Sequence, residues 1–121
     1  MATDNINHRI SGLTAAADLS ARKHSFVAVS GAKQVNLPSA GARADAVLYN
    51  DPASGAAADL VLSGVALVLA AGTISAGAYV TGDANGQAVA ATTGDIQNGI
   101  ALEAGAAGQY ISVLLGYYGA A

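Results

Sequence analysis

The chain has 121 residues, of which 53% are apolar and 11% charged, and it contains no cysteine. This length fits one domain with one core, and the absence of cysteine excludes disulfide frameworks, thiol nucleophiles and thiolate metal sites. Residues 1–44 hold all five basic residues and two acidic ones, whereas residues 45–121 hold six acidic residues and no basic one. The basic first third is interpreted either as simply solvated charge or as a segment that docks on an acidic partner.

Residues 1–20 are predicted to form an N-terminal arm, and residues 21–121 a single β domain. The arm is polar, has few bulky apolar side chains and shows no clear periodicity, which is typical of a segment outside a core. A short helix over residues 14–21 is the alternative, although so short a helix is marginal without packing. The arm lacks the apolar stretch of a secretory signal, which indicates synthesis in the cytoplasm. Removing the arm is expected to leave the β domain folded.

Short segments with the alternation of β-strands follow the arm. Turn residues separate them, and the clearest hairpin covers residues 79–90, where Asn85 and Gly86 supply the positive φ of a tight turn. Short strands at this spacing predict an all-β sandwich or barrel. The predicted strands are residues 25–30, 34–37, 46–49, 78–81, 87–90, 99–103 and 109–115.

The middle of the chain allows two interpretations. Residues 59–63 and 65–70 alternate in the same way, which predicts two strands with a bend at Ser63-Gly64. A helix over residues 56–71 competes, because Ala and Leu favour helices, but Gly64 costs about 1 kcal/mol in mid-helix. Residues 60–81 carry no charge and could span a bilayer by length. Their glycines, serines and threonines interrupt a lipid-facing helix, so no membrane partner is predicted.

Candidate catalytic residues are few. His8 and His24 are the only histidines, Glu103 is the only glutamate, and no G-x-S-x-G turn occurs, so neither a hydrolytic triad nor a carboxylate pair is predicted. The loop that starts at Asp83 has the beginning of a calcium site, but Gly94 stands where the bidentate acid would be. Phosphate loops and zinc-ligand clusters are missing too. We therefore predict no enzyme activity, no metal and no cofactor.

The Ala- and Gly-rich composition favours a subunit of an assembly, because such a surface loses little side-chain entropy when it is covered. Tyr117 and Tyr118 follow Gly116 near the end of the chain, where a core cannot easily hide them, and are the candidate oligomer-interface residues. Tyr49 and Tyr110 are either interface anchors or core residues of their strands. Five scattered basic residues do not form the dense stripe that nucleic-acid binding requires, so no nucleic-acid partner is predicted.

A succession of short segments along the chain has a recognisable order and spacing. The segments are ADLSA at 17–21, FV at 26–27, AVLYNDPASG at 46–55, LSGVA at 62–66, AGTISAGAYVT at 71–81, DANGQAVA at 83–90, GIALEA at 99–104, and Gly108 with ISVLL at 111–115. This succession resembles the capsid decoration, or cement, proteins of tailed bacteriophages over about residues 15–115. Arg22-Lys23-His24 departs from the family's pattern, because it is a more basic lead into the strand at Phe26.

This resemblance implies a small β-barrel or β-tulip domain, a homotrimer and no enzymatic activity. It implies a place on the outer capsid surface of the virion, at three-fold and quasi-three-fold positions, with the major capsid protein as partner. The arm would bridge neighbouring capsid subunits, which makes Arg9, Arg22 and Lys23 the candidate capsid-binding residues. The alternative is a carbohydrate-binding or adhesive β module, such as a head-fibre base, whose exposed tyrosines would stack on sugar rings.

Overall fold

The computed structural model describes residues 7–121, which form nine β-strands and no helix. The strands make one hydrogen-bonded sheet in the order β1-β3-β2-β4-β5-β9-β8-β6-β7, and β1 pairs with β5 as well. This additional pairing closes the first five strands of that order into a barrel. The predicted all-β fold with a small barrel is confirmed. The strands are β1 (Asn7–Ala15), β2 (Phe26–Gly31), β3 (Gln34–Asn36), β4 (Ala46–Leu48), β5 (Ala57–Leu69), β6 (Tyr79–Gly82), β7 (Ala88–Ala90), β8 (Gly99–Ala101) and β9 (Tyr110–Leu115).

The long strand β5 belongs to both halves of the sheet. Its first part pairs with β1 and β4, and its last part, from Gly64 onward, pairs with β9. Gly64 has a φ of 87°, a left-handed conformation that glycine adopts without a Cβ penalty. The prediction of two strands separated by a bend at Ser63-Gly64 is wrong, because both residues lie within one continuous strand. The competing helix over residues 56–71 is wrong, because pairing on the edges of β5 outweighs the helix propensity of Ala and Leu.

Strand β5 also divides the interior into two apolar clusters, where the sequence predicted one core. Consecutive residues of a strand point to opposite faces. Leu48 and Leu60, which are paired, therefore fill the barrel, whereas their paired neighbours Val47 and Val61 point outward. These outward valines join Phe26 and the inner residues of β6, β8 and β9 in the second cluster. The barrel and the second part of the sheet thus pack together through the two faces of the same strands.

The N-terminal segment is part of the barrel rather than an arm outside it, in the residues that the structure describes. β1 pairs antiparallel with β5 and parallel with β3, and Ala15 and Leu19 are each only 1% exposed. The predicted boundary at residue 20 therefore needs correction, and residues 14–21 form no helix. Register shifts interrupt the β1–β5 pairing on both sides of Arg9. Such bulges break the alternation of apolar residues, which is why the sequence showed no strand period. Residues 1–6 of the predicted arm lie outside the described residues.

Apart from the two segments that form the single strand β5, the predicted strands after residue 20 agree with the structure to within two residues at each end. In the predicted hairpin, Thr81 of β6 lies opposite Val89 of β7. The Asp83 carboxylate accepts hydrogen bonds from the amides of Asn85 and Gln87, both at 2.9 Å. Asp83 is thus a turn-capping residue, as such a loop favours. Within the described range no helix has the length and apolar character to cross a membrane.

The second part of the sheet contains an internal repeat that the sequence analysis did not identify. Residues 69–81 and 100–112 correspond at a shift of 31 positions. Ile74 and Gly105 occupy matching positions, and the amide of each donates to the carbonyl of the other, at 2.8 and 2.9 Å. This reciprocal bridge is the signature of a local two-fold axis that relates the two segments.

The repeat places Tyr79 and Tyr110 in equivalent surroundings. Tyr79 of β6 pairs with Ile100 of β8, and Tyr110 of β9 pairs with Leu69 of β5. The residues that follow the two tyrosines are buried in the second cluster. Both tyrosines therefore point to the outer face of this part of the sheet, where they are 43% and 50% exposed.

The hairpin turn gives a stability prediction. Gly86 has a φ of 75°, and a Cβ there would lie 2.5 Å from the Phe26 carbonyl oxygen. Gly55 has a φ of 81°, but an added Cβ meets no atom within 4 Å. We expect Gly86→Ala to lower the free energy of unfolding by about 2–4 kcal/mol, from a left-handed alanine plus the clash, and Gly55→Ala by about 1–2 kcal/mol. Denaturant unfolding of both variants checks this; equal losses would contradict the close packing of the turn on β2.

The incorporation of the N-terminal segment gives a second prediction. Leu19 is 1% exposed and Ile10 is 37% exposed, so truncation should leave a cavity only at residue 19. We expect Leu19→Ala to cost about 2–5 kcal/mol of unfolding free energy, and Ile10→Ala less than about 1 kcal/mol. Thermal and urea unfolding measure both. If Leu19→Ala unfolded like the unaltered protein, the segment would be a removable arm after all.

Candidate docking site

Two of the three predicted capsid-binding residues meet on the ring of Tyr49. The Arg9 guanidinium carbon lies 3.8 Å from the ring centroid, and the Lys23 ammonium nitrogen lies 5.4 Å from it. Both distances are within the range of a cation–π contact. Arg9 comes from β1, Lys23 from the turn before β2, and Tyr49 from the end of β4. The fold thus brings together three segments that are far apart in the sequence. We call Arg9, Lys23 and Tyr49 the docking cluster.

Strand register explains why these side chains meet outside the barrel. Arg9 lies opposite Val61 in the β1–β5 pairing, and Val61 points away from the barrel interior. Tyr49 follows Leu48, which points into the barrel, so its own side chain points out. The Tyr49 amide donates to the carbonyl of Asp59 at 2.8 Å, which extends the β4–β5 pairing by one residue and holds the ring in place.

His24 connects the docking cluster with the second part of the sheet. Its ring makes edge contacts with Tyr49, at 5.9 Å between centroids, and with Tyr110, at 5.3 Å. Its amide donates to the carbonyl of Leu48 at 2.7 Å, and its carbonyl accepts from the amide of Leu69 at 3.0 Å. These bonds hold His24 at a φ of 66°, which is uncommon for a residue with a side chain. The three rings form a continuous aromatic row beside the basic side chains.

Charges of both signs border this row. A shallow depression of about 290 Å³ is lined by Arg9, Tyr49 and Asp59, together with Ile10 and Ser11. Asp59 contributes a carboxylate to its wall. On the other side, the carboxylate of Asp51 accepts the Lys23 amide at 2.9 Å and so fixes the turn that carries the lysine. The surface is therefore cationic and aromatic at its centre, with carboxylates at the rim.

The arrangement suits recognition of carboxylates on a protein surface. A guanidinium that stacks on an aromatic ring presents its N–H groups in its own plane, in the fork geometry that matches a carboxylate. Within residues 7–121, no group of three or more histidines, aspartates and glutamates could hold a metal ion.

The structure places the other predicted site residues differently. Arg22 directly precedes Lys23, is half-buried, and donates its amide to the carbonyl of Leu19 at 3.1 Å. Tyr117 is 70% exposed and borders a second depression, of about 220 Å³, which Arg43 also lines. The ring of Tyr118 lies 5.5 Å from the ring of Tyr79. Tyr117 and Tyr118 therefore lie on two separate surfaces, and neither belongs to the docking cluster.

Sequence reasoning singled out Arg9 and Lys23 but not the ring on which they meet. For Tyr49 the sequence allows an interface or a core position. In the structure Tyr49 is partly buried against the second cluster, and the Arg9 guanidinium lies over its ring. The basic run Arg22-Lys23-His24 already pointed to this turn in the sequence. Such a run does not show which aromatic rings the His24 side chain contacts.

No family model matches the chain, and no curated protein matches it. Among solved structures, the fold is similar to the crystal structure described as the head fiber gp8.5 N base in bacteriophage phi29, with a TM-score of 0.74 and 19% sequence identity. The chain shares its fold with a phage head-fibre base. The likeness covers 90% of this chain and 95% of the head-fibre chain, so it includes both the barrel and the second part of the sheet.

The docking cluster predicts a measurable coupling between Arg9 and Tyr49. We expect Arg9→Gln to lower the unfolding free energy by about 0.5–1 kcal/mol when Tyr49 is present. The loss should persist in Tyr49→Phe, which keeps the ring, and disappear in Tyr49→Leu, which removes it. A double-mutant cycle on these variants measures the coupling. If the double-mutant cycle gave no coupling energy between Arg9 and Tyr49, the stacking would be contradicted.

Proposed function

We propose that this protein is a structural subunit of a tailed-phage head, located on the outer capsid surface of the virion. It binds the major capsid protein as a homotrimer at three-fold and quasi-three-fold positions, and it cements neighbouring capsid subunits of the expanded, DNA-filled head. The single observation that carries the proposal is the fold shared over 90% of the chain with a protein described as a phage head-fibre base. The resemblance of residues 15–115 to decoration proteins supports the same role.

In this proposal, the docking cluster contacts carboxylates of the capsid. Arg9 precedes and Lys23 follows the predicted boundary at residue 20, and both side chains meet on the ring of Tyr49. Arg22 adds a third cation next to Lys23. Exposed ion pairs each contribute only about 0.2–1 kcal/mol, so one protomer binds weakly. A trimer repeats the contact three times, and its overall affinity rises through effective concentration.

The proposed role is mechanical and requires no catalysis. Internal DNA pressure tends to separate capsid subunits, and a rigid bridge across their seams opposes this separation through many contacts at once. The closed barrel suits such a bridge, because its residues 7–15 are paired on β5 and need no ordering when they bind. A preordered surface avoids the entropic cost of folding a segment on contact. Assembly in the host cytoplasm, before the virion leaves the cell, belongs to the same proposal.

Co-sedimentation with expanded capsids of the source virus tests the proposal. We expect saturation near one copy per major capsid subunit, because trimers would fill every three-fold-type position. The double variant Arg9→Gln, Lys23→Gln should bind at least about tenfold more weakly, since each copy loses about two ion pairs. The double variant Lys33→Gln, Arg43→Gln is the matched control, because it removes the same number of positive charges at exposed positions outside the docking cluster. Binding should also weaken as salt rises.

Two results would contradict the proposal. A folded protein that does not sediment with capsids would remove the capsid-surface role. Equal weakening by the matched control and by the Arg9→Gln, Lys23→Gln variant would remove the docking cluster from the proposal, since net charge alone would then account for binding.

A carbohydrate-binding or adhesive module is the second candidate, because the structural relative is described as part of a head fibre. Sugar rings stack on open aromatic faces, but Arg9 already covers the Tyr49 ring at 3.8 Å. The exposed rings of Tyr79 and Tyr110 remain for such stacking. Binding to host-surface glycans, together with no binding to capsids, would favour this candidate over the cement role.

A further inference from the structure

In the second part of the sheet, β6 to β9 and the part of β5 from Gly64 onward contain no charged residue, and the outer face exposes several large apolar side chains. One row of cross-strand neighbours runs across it, with Tyr79 opposite Ile100, Ile100 opposite Leu114, and Leu114 opposite Val65. The residues beside them in β5, β8 and β9 point inward to the second cluster, so this row points outward. Leu102 and Tyr110 extend the same face next to the row. We call these six residues the neutral face.

The neutral face is exposed in the single chain. Tyr79, Leu102 and Tyr110 are 43%, 48% and 50% exposed, and Leu114 is 36% exposed. Covering the six residues would remove on the order of 400 Å² of surface from water, given that a fully covered aromatic side chain buries about 150–250 Å². A stable interface buries about 800 Å² per partner, of which roughly two thirds is apolar in homodimers. The neutral face therefore has nearly the apolar area that one side of such an interface needs.

We propose that the neutral face is where copies of this chain associate with one another. The inference rests on the proposed function, in which the protein acts as an oligomer, and it names the surface that holds the oligomer together. An uncharged face forms no ion pairs with the acidic partner surface proposed for the docking cluster. It can instead pack against another uncharged face. A second copy of the chain carries such a face.

The local two-fold axis of the repeat agrees with this use. Tyr79 and Tyr110 occupy equivalent positions of the repeat and stand at two different ends of the neutral face. In a ring of three copies, the Tyr79 end of the neutral face on one copy contacts the Tyr110 end of the neutral face on the next copy. Each copy then buries the same residues. The ring of Tyr118 lies 5.5 Å from the ring of Tyr79, so Tyr118 borders this contact. This position agrees with the prediction that Tyr118 is an oligomer-interface residue. Tyr117 lies at the separate depression beside Arg43.

Sedimentation equilibrium of the purified chain tests the inference. We expect the unaltered protein to have three times the 11.7 kDa mass of the chain. The double variant Leu102→Lys, Leu114→Lys should weaken association at least tenfold. Val29→Lys is the matched control, because Val29 is 50% exposed on β2, outside the neutral face, and it should associate like the unaltered protein. Circular dichroism and thermal unfolding at low concentration verify that each variant is folded.

A labelling experiment keeps the inference testable if the lysine variants fail to fold. The chain has no cysteine, so Leu102→Cys and Val29→Cys each carry one thiol. We expect a maleimide to label Leu102→Cys at least tenfold more slowly at concentrations where the chain associates than where it is monomeric, and Val29→Cys equally at both. Equal labelling of Leu102→Cys at both concentrations would overturn the inference.

The outcomes separate this inference from the proposed function. A trimer that the Leu102 and Leu114 substitutions leave intact would overturn the neutral face but leave the trimer and the capsid role standing. A dimer held by the neutral face would support the inference and contradict the three-fold part of the proposed function. A chain that stays monomeric at every concentration would overturn the inference, while co-sedimentation would still decide capsid binding.

Discussion

The shared use of β5 is the constraint on which the rest of the structure depends. A strand has two edges and two faces, and β5 uses both edges and both faces. It pairs with β1, β4 and β9 and supplies side chains to both apolar clusters. Gly64, with a φ of 87°, lies where the pairing of β5 passes from β1 to β9.

This division gives the molecule two exposed surfaces of different chemistry. The docking cluster lies on the outside of the barrel, where Arg9 and Lys23 stack on Tyr49. The neutral face lies on the outside of the second part of the sheet, where Tyr79 and Leu114 stand in one uncharged row. His24 touches Tyr49 and Tyr110 and so connects the two regions. Separate surfaces allow one subunit to bind an acidic partner and its own copies at the same time.

The place of β1 changes how capsid docking would operate. In an arm outside the domain, Arg9 would become ordered only on contact, at the cost of the conformational freedom of every residue around it. In the structure, Arg9 lies opposite Val61 on a strand that is paired with β5, and its position is set before a partner arrives. Rigid presentation lowers the cost of binding. It also means that Arg9, which we propose to contact the capsid, lies on a strand that closes the barrel.

By itself, the sequence determined the fold class, the strands after residue 20 other than β5, and the turn at residues 83–86, because alternation and turn chemistry are local properties. It also limited the docking residues to the basic first third of the chain, since no other basic residues exist. Only the tertiary structure decided that β1 belongs to the barrel, because bulges hide its period from the sequence and its stability comes from pairing with a strand fifty residues away. The same holds for the meeting of Arg9, Lys23 and Tyr49 and for the neutral face, since the register between distant strands decides which side chains share a surface.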